Sequence, residues 1–136
     1  MSTAEIVAVV DSGALRAYAR LEGLAVGELL GEIEAEGGTA LLGIPVSSFL
    51  DAYRALDPDE RWRLVAFATS PERATVILPL QEADVLEIAQ LLDHHDEQTA
   101  QCLHAARSFL AQLATYDGKR LHGAIDEDLL LDLIEP

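Results

Sequence analysis

Two periods of apolar spacing run through this chain, and the switches between them mark strands and helices. Ile6 to Val10 is a continuous β-branched and apolar run, as in a strand covered on both faces, and Asp11-Ser12-Gly13 breaks it. From Val26, the residues Leu29, Leu30 and Ile33 fall at i, i+3, i+4 and i+7, so this segment is an amphipathic helix stopped by Gly37-Gly38. Ala40 to Ile44 is a short strand ending at Pro45, and Val46, Phe49, Leu50 and Tyr53 then keep helical spacing. Asp57-Pro58-Asp59-Glu60 joins a capping residue, a Pro at the first helical position and a Glu three after the cap, which predicts a helix through Arg61 to Ala68.

The second half repeats the pattern. Ala74 to Leu78 reads as a strand closed by Pro79, and Val85, Leu86, Ile88, Ala89 and Leu92 mark the next helix. His94-His95-Asp96 interrupts it. Thr99 to Leu110 carries Leu103, Ala106 and Leu110 on one side, Leu113 to Thr115 makes a brief strand, and Leu129 to Ile134 a last one. Strands alternating with helices predict an α/β fold in three layers, with a central, mostly parallel sheet of four to five strands flanked by helices. Residues 1–136 contain no internal repeat and no Pro-, Gly- or Ser-rich linker, so one domain is expected.

Composition changes this picture in two ways. No apolar run approaches the roughly 18 to 20 residues that cross a bilayer, the segment Met1 to Glu5 lacks the basic start of a secretory signal, and Cys102 is the single cysteine. A reducing cytoplasm with no membrane partner is the expectation. The charge is lopsided: 24 acidic against 9 basic side chains give a formal net charge of −15. Nonspecific nucleic-acid affinity comes mostly from Lys and Arg neutralising phosphates, so any such partner requires bound divalent metal or local basic residues.

In open α/β sheets, ligands bind outside the carboxyl ends of the strands. Asp11 directly follows the first strand and Asp117 follows Leu113 to Thr115, which predicts that both carboxylates emerge at the same sheet edge. Asp51, about two turns into the helix after Pro45, and Asp96, near the start of the following long helix, lie within reach of that edge. Carboxylates gathered this closely repel one another unless a cation sits among them, and Mg²⁺ or Mn²⁺ prefers all-oxygen surroundings.

Val-Val-Asp11-Ser-Gly-Ala-Leu, Ile-Pro-Val-Ser-Ser-Phe-Leu-Asp51-Ala-Tyr-Arg and Leu-Ala-Thr-Tyr-Asp117-Gly-Lys-Arg resemble the PIN-domain family, over nearly the whole chain. The resemblance implies metal-assisted hydrolysis of RNA phosphodiesters, similar to the toxin ribonucleases of toxin–antitoxin pairs. It also implies an antitoxin-like protein partner and a homodimer. On that pattern Asp11 and Asp117, with Asp96 completing or supporting the site, hold Mg²⁺ or Mn²⁺, and Asp51 orients the attacking water. Arg16, Arg54, Lys119 and Arg120 lie a few residues from these acids and are the expected phosphate contacts.

Two positions depart from the family. Asp51 stands where Glu is usual, shortening the reach by one methylene. Gln101 occupies the place of an acid in the later-helix motif, Asp96 being five residues earlier, about 7.5 Å along a helix axis.

Each acid also has a plainer role. Asp11 and Asp96 suit helix caps, Asp117 a turn before Gly118, and Asp51 an i, i+3 pair with Arg54. Adjacent His94 and His95 point in different directions without a Cys or a third His at ligand spacing, so they read as surface residues. Cys102 reads as packing and Asp126-Glu127-Asp128 as a solvated loop. Gln101 and the net charge favour a second functional class, a non-catalytic PIN-like protein-interaction module. A phosphoacceptor receiver domain ranks third, because it needs paired acids after the first strand.

Overall fold

The computed structural model describes residues 4–134; residues 1–3, part of the segment read for a secretory signal, and residues 135–136 lie outside that span. Five strands form one sheet: β1 (Glu5–Val10), β2 (Ala40–Pro45), β3 (Thr75–Leu78), β4 (Gln112–Thr115) and β5 (Leu130–Asp132). Every neighbouring pair is parallel, and the spatial order is β3-β2-β1-β4-β5. The architecture is thus α/β with an all-parallel sheet between helical layers, consistent with a three-layer PIN-like fold.

Seven α-helices flank the sheet among the described residues: α1 (Ser12–Ala19), α2 (Ala25–Glu34), α3 (Val46–Ala55), α4 (Pro58–Thr69), α5 (Val85–Leu91), α6 (Glu97–Phe109) and α7 (Gly118–Leu121). One apolar cluster joins Ala8, Val10, Leu42 and Ile44 of the sheet to Leu15 of α1, Leu30 of α2 and Leu64 of α4. The opposite face packs Val9 and Leu113 against Cys102, Leu103 and Ala106 of α6 and Leu121 of α7. The continuous apolar run at β1 follows directly, since its alternate residues enter the two clusters and both faces are covered.

The order of strands reverses at β1, with β2 and β3 spreading to one side and β4 and β5 to the other. This is the switch point at which a crevice opens beyond the carboxyl ends of β1 and β4.

Local chemistry fixes the helix starts. Asp57 and Glu60 exchange backbone bonds at 2.9 Å each in a complete capping box, with Pro58 at the first turn of α4. Helix α6 begins two residues before the expected Thr99 and ends at Phe109, because Leu110 takes a left-handed conformation (φ 52°) as its C-cap. The last strand is shorter than Leu129 to Ile134: Glu127–Leu129 forms a 3₁₀ turn and pairing stops at Asp132. Helix α1 was not marked by the sequence pattern, in which Asp11-Ser12-Gly13 is a break.

Candidate functional site at the carboxyl ends of β1 and β4

Asp11 leaves β1 and immediately caps α1, its Oδ1 accepting from the Ala14 N–H at 2.9 Å. Its Oδ2 accepts from the Thr115 hydroxyl at 2.5 Å. The same Thr115 oxygen accepts from the Asp117 N–H at 2.9 Å, so one side chain at the end of β4 ties the carboxylate of Asp11 to the backbone of Asp117. Asp11 is 6% exposed. That burial raises its pKa, and the bonds from Thr115 and Ala14 and the charges of Arg16 and Arg120 oppose the rise without cancelling it.

Asp117 is far wetter. Its side chain is more than half exposed and its Oδ2 accepts from Arg120 Nε at 2.5 Å. Arg120 also donates to the Thr99 hydroxyl at 3.4 Å, and its charge acts on both Asp11 and Asp96. Asp96 caps α6 through the Thr99 N–H at 2.8 Å. Burial pushes Asp96 upward, but the Thr99 bonds, the Arg120 charge and a bond from Gln98 together hold its pKa below the ordinary value.

Asp51 stands across the crevice on α3. Its carboxylate accepts from the Ser12 hydroxyl and pairs with Arg16 at 3.2 Å, and Arg16 also donates to Ser12. The expected i, i+3 partner, Arg54, is not the one it takes. Gln98 links the two sides: its Oε1 accepts from the Ser12 N–H at 3.0 Å and the Ser48 hydroxyl at 3.1 Å, and its Nε2 donates to the Thr99 hydroxyl at 2.8 Å. Ser47, Asp51, Arg54, Asp96 and Gln98 line one cavity of about 230 Å³, and the buried Ser47 hydroxyl has no hydrogen-bond partner among the described residues.

All four expected acids therefore lie at one end of the sheet, but in two sets. Asp11, Asp117 and Asp96 share the neighbourhood of Arg120, and Asp51 belongs with Ser12 and Arg16. Lys119, on α7, is exposed and forms no ion pair among the described residues. No group of three or more His, Cys, Asp or Glu side chains stands in a metal-holding arrangement among the described residues. Mg²⁺ does not need one, because it binds through one or two carboxylates and keeps several waters. Asp11, whose oxygens each accept one bond, and the exposed Asp117 suit such a water-rich cation and do not make an all-protein cage.

Gln101 does not face the acids. It is buried, its Oε1 accepting from the Ser47 N–H at 2.8 Å and its Nε2 donating to the Leu78 carbonyl at 3.1 Å. It fastens the start of α3 to the end of β3. Cys102 is also buried, its Sγ 2.9 Å from the Ser48 hydroxyl, and burial pushes its thiol far above the ordinary range, which suits packing and not nucleophilic chemistry. His94 is exposed, and His95 is lowered by partial burial and by the charges of Arg120 and His94.

Thr115, Gln98, Ser12 and Ser48 were missed by reasoning from the sequence. Thr115 carried a weak signal, as the polar residue ending an apolar strand two before Asp117. No family model matches this chain, and no curated protein is significantly similar to it.

Proposed function

We propose that this protein is a Mg²⁺- or Mn²⁺-dependent ribonuclease that hydrolyses RNA phosphodiesters. The observation that carries the reading is the Thr115 hydroxyl bridging Asp11 to Asp117 at the sheet's switch point. It sets a buried carboxylate and an exposed one at the ends of two adjacent strands, the edge at which open α/β sheets bind ligands, and this supports the reading.

Hydrolysis adds water to phosphorus and breaks the bond to the leaving oxygen, so the protein must place the phosphate, orient the water and offset the charge that develops. Arg16 and Arg120 flank the crevice and would hold the phosphate, with Arg54 and Lys119 extending the contacts along the strand. Asp51, fixed by Ser12 and Arg16, would orient the water. Asp11 and Asp117, supported by Asp96, would hold the cation, which when bound neutralises charge on the phosphate oxygens. These four basic residues and the cation offset the repulsion between RNA and a chain of net charge −15. The reading includes an antitoxin-like partner, a homodimer and a cytoplasmic setting.

A second reading rests on the pairing of both arginines with the candidate acids and on the structural use of Gln101. In it, the domain has kept the fold and serves as a non-catalytic interaction module.

Cleavage of a fluorogenic RNA by the purified protein separates the two. The ribonuclease reading expects turnover in Mn²⁺ that EDTA and Asp11→Asn each abolish. Turnover indifferent to both contradicts the metal-dependent reading, and no turnover with any RNA tried favours the interaction module.

A further inference from the structure

Away from the four acids, two cavities of about 590 and 440 Å³ abut along one side of α2, sharing Leu29 and Glu32 in their walls. The larger opens at the amino-terminal edge of the sheet over Val7 and Ala8, and the smaller continues towards Leu131 of the edge strand β5 and Leu133 just after it. Topology explains the vacancy. Helix α2 packs on β2 and α1, and the connection from β4 to β5 passes through α7, whose Leu121 belongs to the opposite face. Among the described residues no helix of this layer packs extensively on β5, although Leu29, Leu131 and Leu133 pack against that layer's apolar cluster.

The walls are acidic. Glu28, Glu32 and Glu36 are exposed at i, i+4 and i+8 along α2 and the turn after it, with Glu5 and Asp132 at the two ends. No Lys or Arg lines either cavity among the described residues. Like charges at i, i+4 disfavour a helix slightly, so a partner that brought cations to this row would relieve the repulsion. An apolar floor beside a carboxylate wall complements an amphipathic helix with Leu-type residues on one side and Lys or Arg on the flank. A second copy of this chain is a poor occupant, because it brings another net charge of −15.

We propose that the groove along α2 is the docking site for a cationic amphipathic helix of a partner polypeptide. The inference stands on the Leu29 and Leu131 floor and the Glu28, Glu32 and Glu36 wall, and does not depend on the ribonuclease reading.

The probe is a synthetic peptide of about 18 residues, long enough to lie along α2 as a helix, with a Leu stripe and Lys on the remaining faces. Its binding to the full chain is followed by fluorescence anisotropy. Glu28→Lys with Glu32→Lys is expected to weaken binding at least about tenfold, and added salt to weaken it further. The control pair Glu72→Lys with Asp93→Lys makes the same change in net charge at exposed positions outside the groove, and is expected to shift affinity by less than about twofold. Equal loss in both pairs, equal binding of a sequence-scrambled Lys–Leu peptide, or no binding by the wild type overturns the proposal. So does a dimer in sedimentation that Leu29→Asp dissociates, because the groove would then hold a second copy.

Discussion

Asp11 and Thr115, 104 positions apart in sequence, meet through a 2.5 Å hydrogen bond in which the hydroxyl donates to a buried carboxylate. The bond matters because Asp11 otherwise has only the Ala14 N–H and distant arginines to offset its loss of water. Burial prevails, and the protein holds a carboxylate where folding alone would favour a neutral group. Such a conflict between stability and local chemistry is expected at functional sites.

Asp11→Asn therefore separates stability from function. Asn caps helices as well as Asp and its amide can donate to Thr115, so the geometry survives. Because the folded pKa of Asp11 is raised above 3.8, the native state holds this proton more tightly than the unfolded chain. The contribution to stability is full below the unfolded pKa and is lost as pH rises through the folded one. Thermal melts from about pH 3 to 8 are expected to show Asp11→Asn equal to or above wild type at neutral pH, with the difference closing towards acid. A variant less stable than wild type at neutral pH contradicts this.

Arg120 is paired to Asp117 and its charge acts on Asp11 and Asp96, so on the proposed reading it competes with the cation. Arg120→Ala is expected to tighten Mn²⁺ binding, by releasing Asp117, and to lower RNA cleavage by about tenfold or more through loss of a phosphate contact. Calorimetry and a cleavage assay on the same variant check both directions. Movement of both quantities the same way would mean that Arg120 does not compete with the metal.

Gln101 is expected to behave as a structural residue. Gln101→Leu leaves the Ser47 N–H and the Leu78 carbonyl without partners and costs about 1–3 kcal/mol in denaturant unfolding. Gln101→Glu sets a buried carboxylate against that carbonyl, destabilises to a similar or greater degree and leaves Mn²⁺ affinity unchanged. A gain in Mn²⁺ affinity for Gln101→Glu would show that the side chain reaches the acids.

Gly43 of β2 lies against Ile6, Val9 and Leu78 on the face opposite α2. A Cβ there would stand 2.8 Å from Leu78 Cδ1, 3.1 Å from Ile6 Cγ2 and 3.2 Å from Val9 Cγ1. Gly43→Ala is expected to destabilise by about 1–3 kcal/mol through overpacking, against the usual benefit of Ala in a strand. Urea unfolding at constant m-value measures it.

The strand ends were legible because β1 is an unbroken apolar run and β4 a short one, each stopped by Asp within two residues. From there a mostly parallel sheet with Asp11 and Asp117 at one edge followed from alternation; that every pair is parallel is visible only in the structure. Helix α1 was not legible, since Ser12-Gly13 has the composition of a break; the cap from Asp11 and the burial of Ala14, Leu15 and Ala19 override that local preference. Nor was the partner of Asp51, for Arg54 at i+3 is the nearest cation in sequence while Arg16 arrives from another helix. Gln98 and Gln101 differ by less than one turn of α6, yet one enters the crevice network and the other pins α3 to β3. Neighbours from α3 and β3 decide that difference, and no spacing within α6 encodes it.

Anomalous diffraction from crystals grown in Mn²⁺ locates the bound ion without reference to activity. A peak within coordination distance of Asp11 and Asp117 carboxylate oxygens, absent in Asp11→Asn crystals, is the predicted result. No peak between those residues, with Arg120 still paired to Asp117, would contradict the ribonuclease reading.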